Sequence, residues 1–151
     1  NDREKPMTGR VWLITGAVLG GTGVALGAFG AHALRSALPD LAPTVEEQQR
    51  LLDVWETAVR YQMYHALAII VAGLLMRSSK TRLLPAAGCC FLFGVAIFSG
   101  LLYALVLTGV KLLGAIVPIG GTALIIGWLL LAIAAAKHER SDHAKNRATG
   151  N

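Results

Sequence analysis

Charged residues are scarce in this sequence. Asp, Glu, Lys and Arg make up 15% of the 151 residues, whereas hydrophobic types make up 54%. About a quarter of the residues of a typical soluble domain are charged, so this composition excludes an ordinary soluble domain.

Cysteine is also rare: Cys89 and Cys90 are adjacent in an apolar run, where neither a long-range disulfide nor a CxxC metal site is available. We interpret both as small buried hydrophobic residues.

Motifs of catalysis are also missing from the sequence. It has no nucleophile elbow, no phosphate-binding glycine loop followed by Lys and Ser or Thr, and no carboxylate pair suited to a cavity. The net charge of +5 comes from basic residues that lie between apolar segments and form no aromatic-interleaved patch, which argues against nucleic acid binding. The sequence therefore predicts a protein that is not an enzyme, with no cofactor, no metal and no nucleic acid partner.

What the sequence does contain is a set of long apolar runs, beginning with 24 uncharged residues from Val11 to Leu34. As a helix this run is ~36 Å long, enough to cross a hydrocarbon core of ~30 Å. Its glycines advance by four, three, four and three positions, which keeps them on one helical face: Gly16, Gly20, Gly23, Gly27 and Gly30. A second row of small residues, Gly21, Ala25 and Ala28, ends at His32. Small residues let helices approach closely in lipid, so the first face is predicted to pack against another helix.

Three further helices are predicted after a polar connection, residues 36–43, whose prolines end the first helix. Thr44 and Glu47 form a capping box that starts the second helix, residues 45–76. At ~48 Å this helix exceeds the bilayer core, so its amphipathic first half is predicted to lie at the membrane surface. The third and fourth helices are predicted at residues 83–110 and 112–136, with polar tails at residues 1–10 and 137–151. The predicted fold is an all-α, four-helix transmembrane bundle in which an interfacial amphipathic helix precedes helix two.

The basic residues indicate how this bundle is oriented. The two tails and the turn at residues 77–82 together carry ten of the 14 Lys and Arg residues, and the other side of the membrane carries four. The positive-inside rule then places both termini in the cytoplasm.

A candidate polar cluster lies mostly in the half of the membrane that faces away from the basic flanks. Its members are eight of the polar residues near or within the spans: His32, Glu56, Arg60, Gln62, His65, Ser99, Tyr103 and Thr122. Ionisable residues inside a membrane are functional candidates by default, as proton or solute paths or as ligands. The interpretation that we favour is interhelical hydrogen bonding, with Glu56 and Arg60 as an i,i+4 ion pair near the membrane boundary.

Four motifs point to a family: GAFGAHAL at 27–34, WETAVRYQMYHALA at 55–68, FSGLLYAL at 98–105, and PIGG followed by GW at 118–128. Over about residues 8–136 the chain resembles the small membrane proteins of domain of unknown function 423, to which the animal transmembrane protein 256 looks similar. The resemblance implies a four-helix membrane protein of bacteria or mitochondria, and it implies no activity. We expect the bacterial plasma membrane rather than the mitochondrial inner membrane.

Three functional hypotheses follow from these observations. The first is a non-enzymatic structural or accessory subunit, surrounded by the lipid bilayer, whose glycine-rich helix packs within its own bundle and against a larger membrane complex or a second copy. The second is a small channel or transporter for protons or a small solute, with a hydrated cavity lined by His65, Gln62, Ser99 and Thr122. The third is a membrane subunit associated with a quinone or another cofactor.

Overall fold

The computed structural model describes the backbone of residues 5–149 and the side chains of residues 9–137. Every regular element in that part of the chain is helical, and four helical segments are long and apolar enough to cross a membrane. In chain order the elements are α1 (Lys5–Phe29), a π-helical turn (Gly30–Leu34), α2 (Arg35–Leu41), α3 (Val45–Leu75), α4 (Leu83–Thr108) and α5 (Leu113–Thr149). The prediction of an all-α protein with four spans is confirmed.

Local signals account for most helix boundaries. The hydroxyl of Thr44 accepts a hydrogen bond from the backbone N–H of Glu47 at 3.2 Å, which is the N-cap that the sequence predicts for α3. Gly109 ends α4 in the left-handed conformation with φ of 70°, and its N–H donates to the Leu105 carbonyl at 2.9 Å. The third predicted helix therefore ends at residue 108 rather than 110.

The predicted end of the first helix at residue 34 is wrong, because the chain continues through the π-helical turn and α2 to Leu41. Pro39 lies in the last turn of α2, where a missing N–H removes only one hydrogen bond of the helix. Leu34 and Leu38 are each 2% exposed and belong to a buried cluster with Trp55. Burial of two leucines at about 1.5–3 kcal/mol each outweighs that lost bond.

The predicted tails are also helical where the structure describes them. Residues 5–10 form the first turns of α1, and α5 continues from residue 137 to Thr149, whereas residues 1–4 and 150–151 lie outside the described backbone. Pro6 is tolerated because it lies in the first turn of a helix. Residues 137–149 contain no Gly or Pro and several strong helix formers, so their polarity does not end the helix.

The amphipathic segment before the second span is continuous with it, as the first turns of α3. Leu51 and Leu52 on its apolar side are buried in the cluster formed with α2 and Val106 of α4. This side is therefore covered by protein. Since α3 is ~46 Å long, it extends beyond a ~30 Å hydrocarbon core.

Consecutive spans pack against each other as antiparallel neighbours: the first span packs on α3, α3 on α4, and α4 on α5. Two ends of the molecule result. The basic end carries these exposed cations of the described part: Arg10, Arg77, Lys80, Arg82 and Lys137. The opposite end consists of α2, the connection at residues 42–44, the start of α3 and the turn at residues 109–112.

A glycine seam joins α1 to α3. The seam glycines are seven residues apart and have α3 so close that a Cβ atom would collide with it: Gly9, Gly16, Gly23 and Gly30. A Cβ at Gly9 would lie 2.8 Å from the Gly73 carbonyl oxygen, and one at Gly16 would lie 2.7 Å from the Ala66 carbonyl oxygen. A seven-residue repeat keeps one face on the partner helix, as in a coiled coil.

The other members of the predicted glycine face lie off this seam. A Cβ at Gly27 would make an ordinary contact with Val59 at 3.5 Å, and one at Gly20 would meet nothing within 4 Å. A second close approach joins α4 to α5, where a Cβ at Gly120 would lie 3.0 Å from the Gly94 carbonyl oxygen. The spacing of glycines in α1 gave no indication of this second contact.

The seam makes a matched pair of substitutions informative. Gly16→Ala should destabilise the packing of α1 on α3, because the new methyl group would also lie 2.6 Å from Ile70 Cγ1. Overpacking of this kind costs about 1–3 kcal/mol. Gly20→Ala adds the same group where nothing lies within 4 Å, so it should leave stability unchanged or slightly higher. Thermal unfolding in detergent, followed by circular dichroism, should show a lower Tm for Gly16→Ala alone, and equal Tm values would contradict the seam.

Candidate functional site

Gln62 is the centre of the hydrogen bonds inside the membrane. It is 4% exposed, and its Nε2 donates to the Leu19 carbonyl at 2.9 Å and to the Thr22 hydroxyl at 3.0 Å. Its Oε1 accepts from the Tyr103 hydroxyl at 3.0 Å. One amide of α3 thereby bonds to α1 on one side and to α4 on the other, and both of its donor hydrogens are used.

The backbone acceptors on α1 are accessible because of the glycine seam. Gln62 bonds to the Leu19 carbonyl, and the indole N–H of Trp55 donates to the Leu26 carbonyl at 2.9 Å. Four residues after each acceptor stands a seam glycine, Gly23 or Gly30. A side chain on a helix covers the turn before its own Cα, so a glycine at that position leaves the carbonyl uncovered. The seam therefore sets both the helix spacing and the polar contacts.

His65 has both ring nitrogens hydrogen bonded. Nδ1 lies 2.7 Å from the Tyr61 carbonyl oxygen of its own helix, and Nε2 lies 3.1 Å from Nε1 of Trp128 on α5. A carbonyl can only accept and an indole N–H can only donate, so the ring fits the neutral tautomer with hydrogen on Nδ1. Neither nitrogen has a lone pair left for a metal or a haem.

Aromatic rings surround this imidazole. The Phe91 ring centroid lies 5.6 Å from that of His65 and 5.3 Å from that of Trp128, and Tyr61 stacks on Phe98 at 4.4 Å. The rings come from α3, α4 and α5, so the histidine is part of the contact that joins these three helices. Aromatic pairs at such distances each contribute about 0.5–1.5 kcal/mol beyond their burial.

Three members of the predicted cluster lie apart from these bonds. His32 is exposed within the π-helical turn. Thr122 is also exposed, and its hydroxyl donates to the Pro118 carbonyl of its own helix at 3.0 Å. Ser99 is 1% exposed, and its hydroxyl has no hydrogen-bond partner. The structure therefore brings Gln62, Tyr103 and His65 into interhelical bonds and leaves these three outside them.

Glu56 and Arg60 do not form the predicted ion pair. Among the side chains of residues 9–137 the one ion pair within 4.0 Å joins Arg50 to Glu47, at 3.6 Å. Both Glu56 and Arg60 instead line a groove of about 420 Å³ at the opposite end, which we call the arginine groove. Its lining residues are Gly27, Gly30, Ala31, Arg35, Leu52, Trp55, Glu56, Val59 and Arg60.

A second groove of about 390 Å³ lies at the same end, between the start of α3 and the turn after α4. Neither groove is lined by Gln62, His65, Ser99 or Thr122, the residues expected to line a hydrated path.

Within the described residues, no group of three His, Cys, Asp or Glu side chains is placed to hold a metal ion. Cys89 is exposed, which corrects the expectation of a buried residue, and Cys90 is half-buried.

Sequence reasoning missed three polar partners: Thr22, Trp55 and Trp128. Trp55 and Trp128 occur in the sequence-based prediction only as parts of two family motifs. An indole N–H within hydrocarbon needs an acceptor, so the depth of Trp128 in α5 could have pointed to a partner. Which helix supplies that partner depends on how the helices are rotated, which a single sequence does not reveal.

Comparison with known proteins places the chain in a family of membrane proteins. A sequence profile of the family described as protein of unknown function (DUF423) matches residues 26–121. A UPF0382 membrane protein of Staphylococcus epidermidis is 44% identical over 128 residues, covering 85% of this chain and 97% of the relative. The UPF0382 membrane protein YwdK of Bacillus subtilis is 42% identical over 130 residues, covering 85% and 98%. No solved structure matches. The chain is a multi-pass membrane protein that belongs to the DUF423 family.

Proposed function

We propose that the protein is a non-enzymatic structural or accessory subunit of a membrane assembly. The observation that carries this proposal is the use of the embedded polar groups: Gln62 bonds to two other helices, and both nitrogens of His65 are occupied. In lipid, such bonds act as interhelical glue. Groups engaged in this way are suited to holding helices together, and proton transfer or ligation would require breaking their bonds.

The outer face of α1 is the surface that we propose for contact with a partner. Its second row of small residues, Gly21, Ala25 and Ala28, is exposed, and a Cβ at Gly21 would meet nothing within 4 Å. Only 11% of the residues in the apolar stretch of the first span are buried, against 44% of those in the apolar stretch of α3. Because small residues permit close helix contact, this face suits a helix of a larger complex or of a second copy.

We further propose that the protein lies in a bacterial plasma membrane with both termini in the cytoplasm. The relatives above are membrane proteins of Gram-positive bacteria. The basic end carries the start of α1, the turn at residues 77–82 and the continuation of α5, and Lys and Arg favour the cytoplasmic side.

If the polar network is glue, Gln62 and Tyr103 should be coupled in stability. Tyr103→Phe should lower the free energy of unfolding by about 0.6 kcal/mol, and Gln62→Leu by up to about 1.7 kcal/mol, the range for interhelical bonds in membranes. In the double variant the two losses should not add, because both remove the same bond. Denaturation by sodium dodecyl sulfate in mixed micelles measures the free energy of unfolding of the two single variants and of the double variant. Strictly additive losses would contradict a direct bond between Gln62 and Tyr103.

A structural His65 predicts that the protein does not conduct protons. Proteoliposomes that contain a pH-sensitive dye should acidify no faster than protein-free liposomes when an inward proton gradient and valinomycin are applied. His65→Gln is the matched variant, and its rate should equal that of the wild type. A wild-type rate above the protein-free rate that disappears in His65→Gln would instead establish a proton path.

If the outer face of α1 binds a partner, enlarging its small residues should release that partner. In a mild detergent, the protein mass of the wild-type particle, with bound detergent subtracted, should exceed the 15.9 kDa of one chain. Gly21→Leu with Ala28→Leu should reduce that mass to the mass of the monomer. As a control, Ala96→Leu with Ala132→Leu enlarges two exposed small residues of α4 and α5 and should leave the assembly intact. A wild-type protein that is strictly monomeric would contradict the proposal.

A further inference from the structure

The arginine groove has an apolar floor and a charged rim. Gly27 and Gly30 of the first span and Val59 of α3 form the floor, beside the Trp55 side chain. Arg35, Glu56 and Arg60 line the same groove and are exposed. The groove therefore combines a surface suited to hydrocarbon with charges suited to a polar headgroup.

The position of the rim along α3 places Glu56 near the edge of the hydrocarbon and Arg60 about one turn inside it. Counted along α3 from Leu75 at the basic end, Arg60 lies ~22 Å up a helix that crosses a core of ~30 Å. Glu56 lies one turn farther out, at ~28 Å. An arginine at this depth extends its guanidinium toward the headgroups, where phosphate is the anion at hand.

The charges of the groove are unbalanced by one. Arg35 and Arg60 contribute two positive charges and Glu56 one negative charge. Among the side chains of residues 9–137, neither arginine lies within 4.0 Å of a carboxylate. A guanidinium presents a fork of N–H donors that fits two oxygens of a phosphate, so one phosphodiester would neutralise the rim.

The π-helical turn borders the floor of the groove. Gly30 and Ala31 belong to that turn, and the Trp55 ring fills the space beside Gly30, where a Cβ would lie 2.5 Å from Trp55 Cδ1. At Gly27 an added Cβ would contact only Val59, at 3.5 Å. The floor thus leaves space for an alkyl chain alongside the first span. Turns of this kind are frequent at functional sites.

We propose that the arginine groove binds an anionic glycerophospholipid of the leaflet at the opposite end. The phosphodiester lies between Arg35 and Arg60, and the first part of an acyl chain lies on Gly27 and Val59. Glu56 disfavours a second negative charge on the headgroup. The groove therefore suits a lipid whose headgroup carries a single negative charge, such as phosphatidylglycerol. The site is independent of the structural role proposed above.

Native mass spectrometry of the full chain in detergent tests this site directly. With equal amounts of phosphatidylglycerol and phosphatidylethanolamine, the wild type should retain phosphatidylglycerol preferentially. Arg35→Gln and Arg60→Gln should each lower its occupancy about five-fold, the effect expected for one basic side chain at an anionic lipid surface. Arg50→Gln removes a charge at the same end but outside the groove, so occupancy should not change. Unchanged occupancy in the Arg35→Gln/Arg60→Gln double variant would overturn the proposal.

A second pair of variants keeps both arginines and tests the apolar floor. Gly27→Leu should fill the floor and expel the lipid, whereas Gly20→Leu adds the same side chain outside the groove and should not. If millimolar inorganic phosphate displaces phosphatidylglycerol and raises the Tm of the protein as much as the lipid does, the site takes a free anion and the proposal is wrong. If the lipid is absent and dimers appear that Gly27→Leu abolishes, a second copy fills the groove and the proposal is wrong.

Discussion

The close approach of α1 to α3 is the contact on which the rest of the structure depends. Hydrocarbon offers no hydrophobic drive between helices, so association rests on van der Waals contact and on hydrogen bonds between helices. The seam glycines bring the two backbones together, and they also leave the Leu19 and Leu26 carbonyls uncovered for Gln62 and Trp55. Because Gln62 also accepts from Tyr103, this contact positions the bond that reaches α4.

The positions of the helices along the chain could be predicted because the signals are local. Thr44 caps α3 where a capping box predicts it, and the uncharged runs become the four spans. Local signals failed where tertiary burial outweighed them, as at Pro39, where the buried Leu34 and Leu38 keep the chain helical. They also failed at residues 5–10, where Gly9 belongs to the seam although it precedes the apolar run.

The candidate site was harder to predict, because depth in the membrane and direction around a helix are separate quantities. The rise of ~1.5 Å per residue places Gln62, His65, Ser99 and Thr122 at comparable depths. Only rotation of each helix decides that Gln62 points at α1 while Thr122 points outward. For the same reason, steps of three and four place five glycines of α1 on one broad face, whereas the narrower seven-residue seam takes Gly16, Gly23 and Gly30 and leaves Gly20 in the open.

The pairing of consecutive spans has a consequence for how the protein is made. Since the first span packs mainly on α3, α3 on α4, and α4 on α5, each helix has its main partner next to it along the chain. Contacts between neighbours in sequence need only short loops to close, which favours rapid assembly. Each helix can therefore dock on its predecessor as it leaves the ribosome and enters the bilayer, so that few polar groups wait in lipid for a partner that has yet to be synthesised.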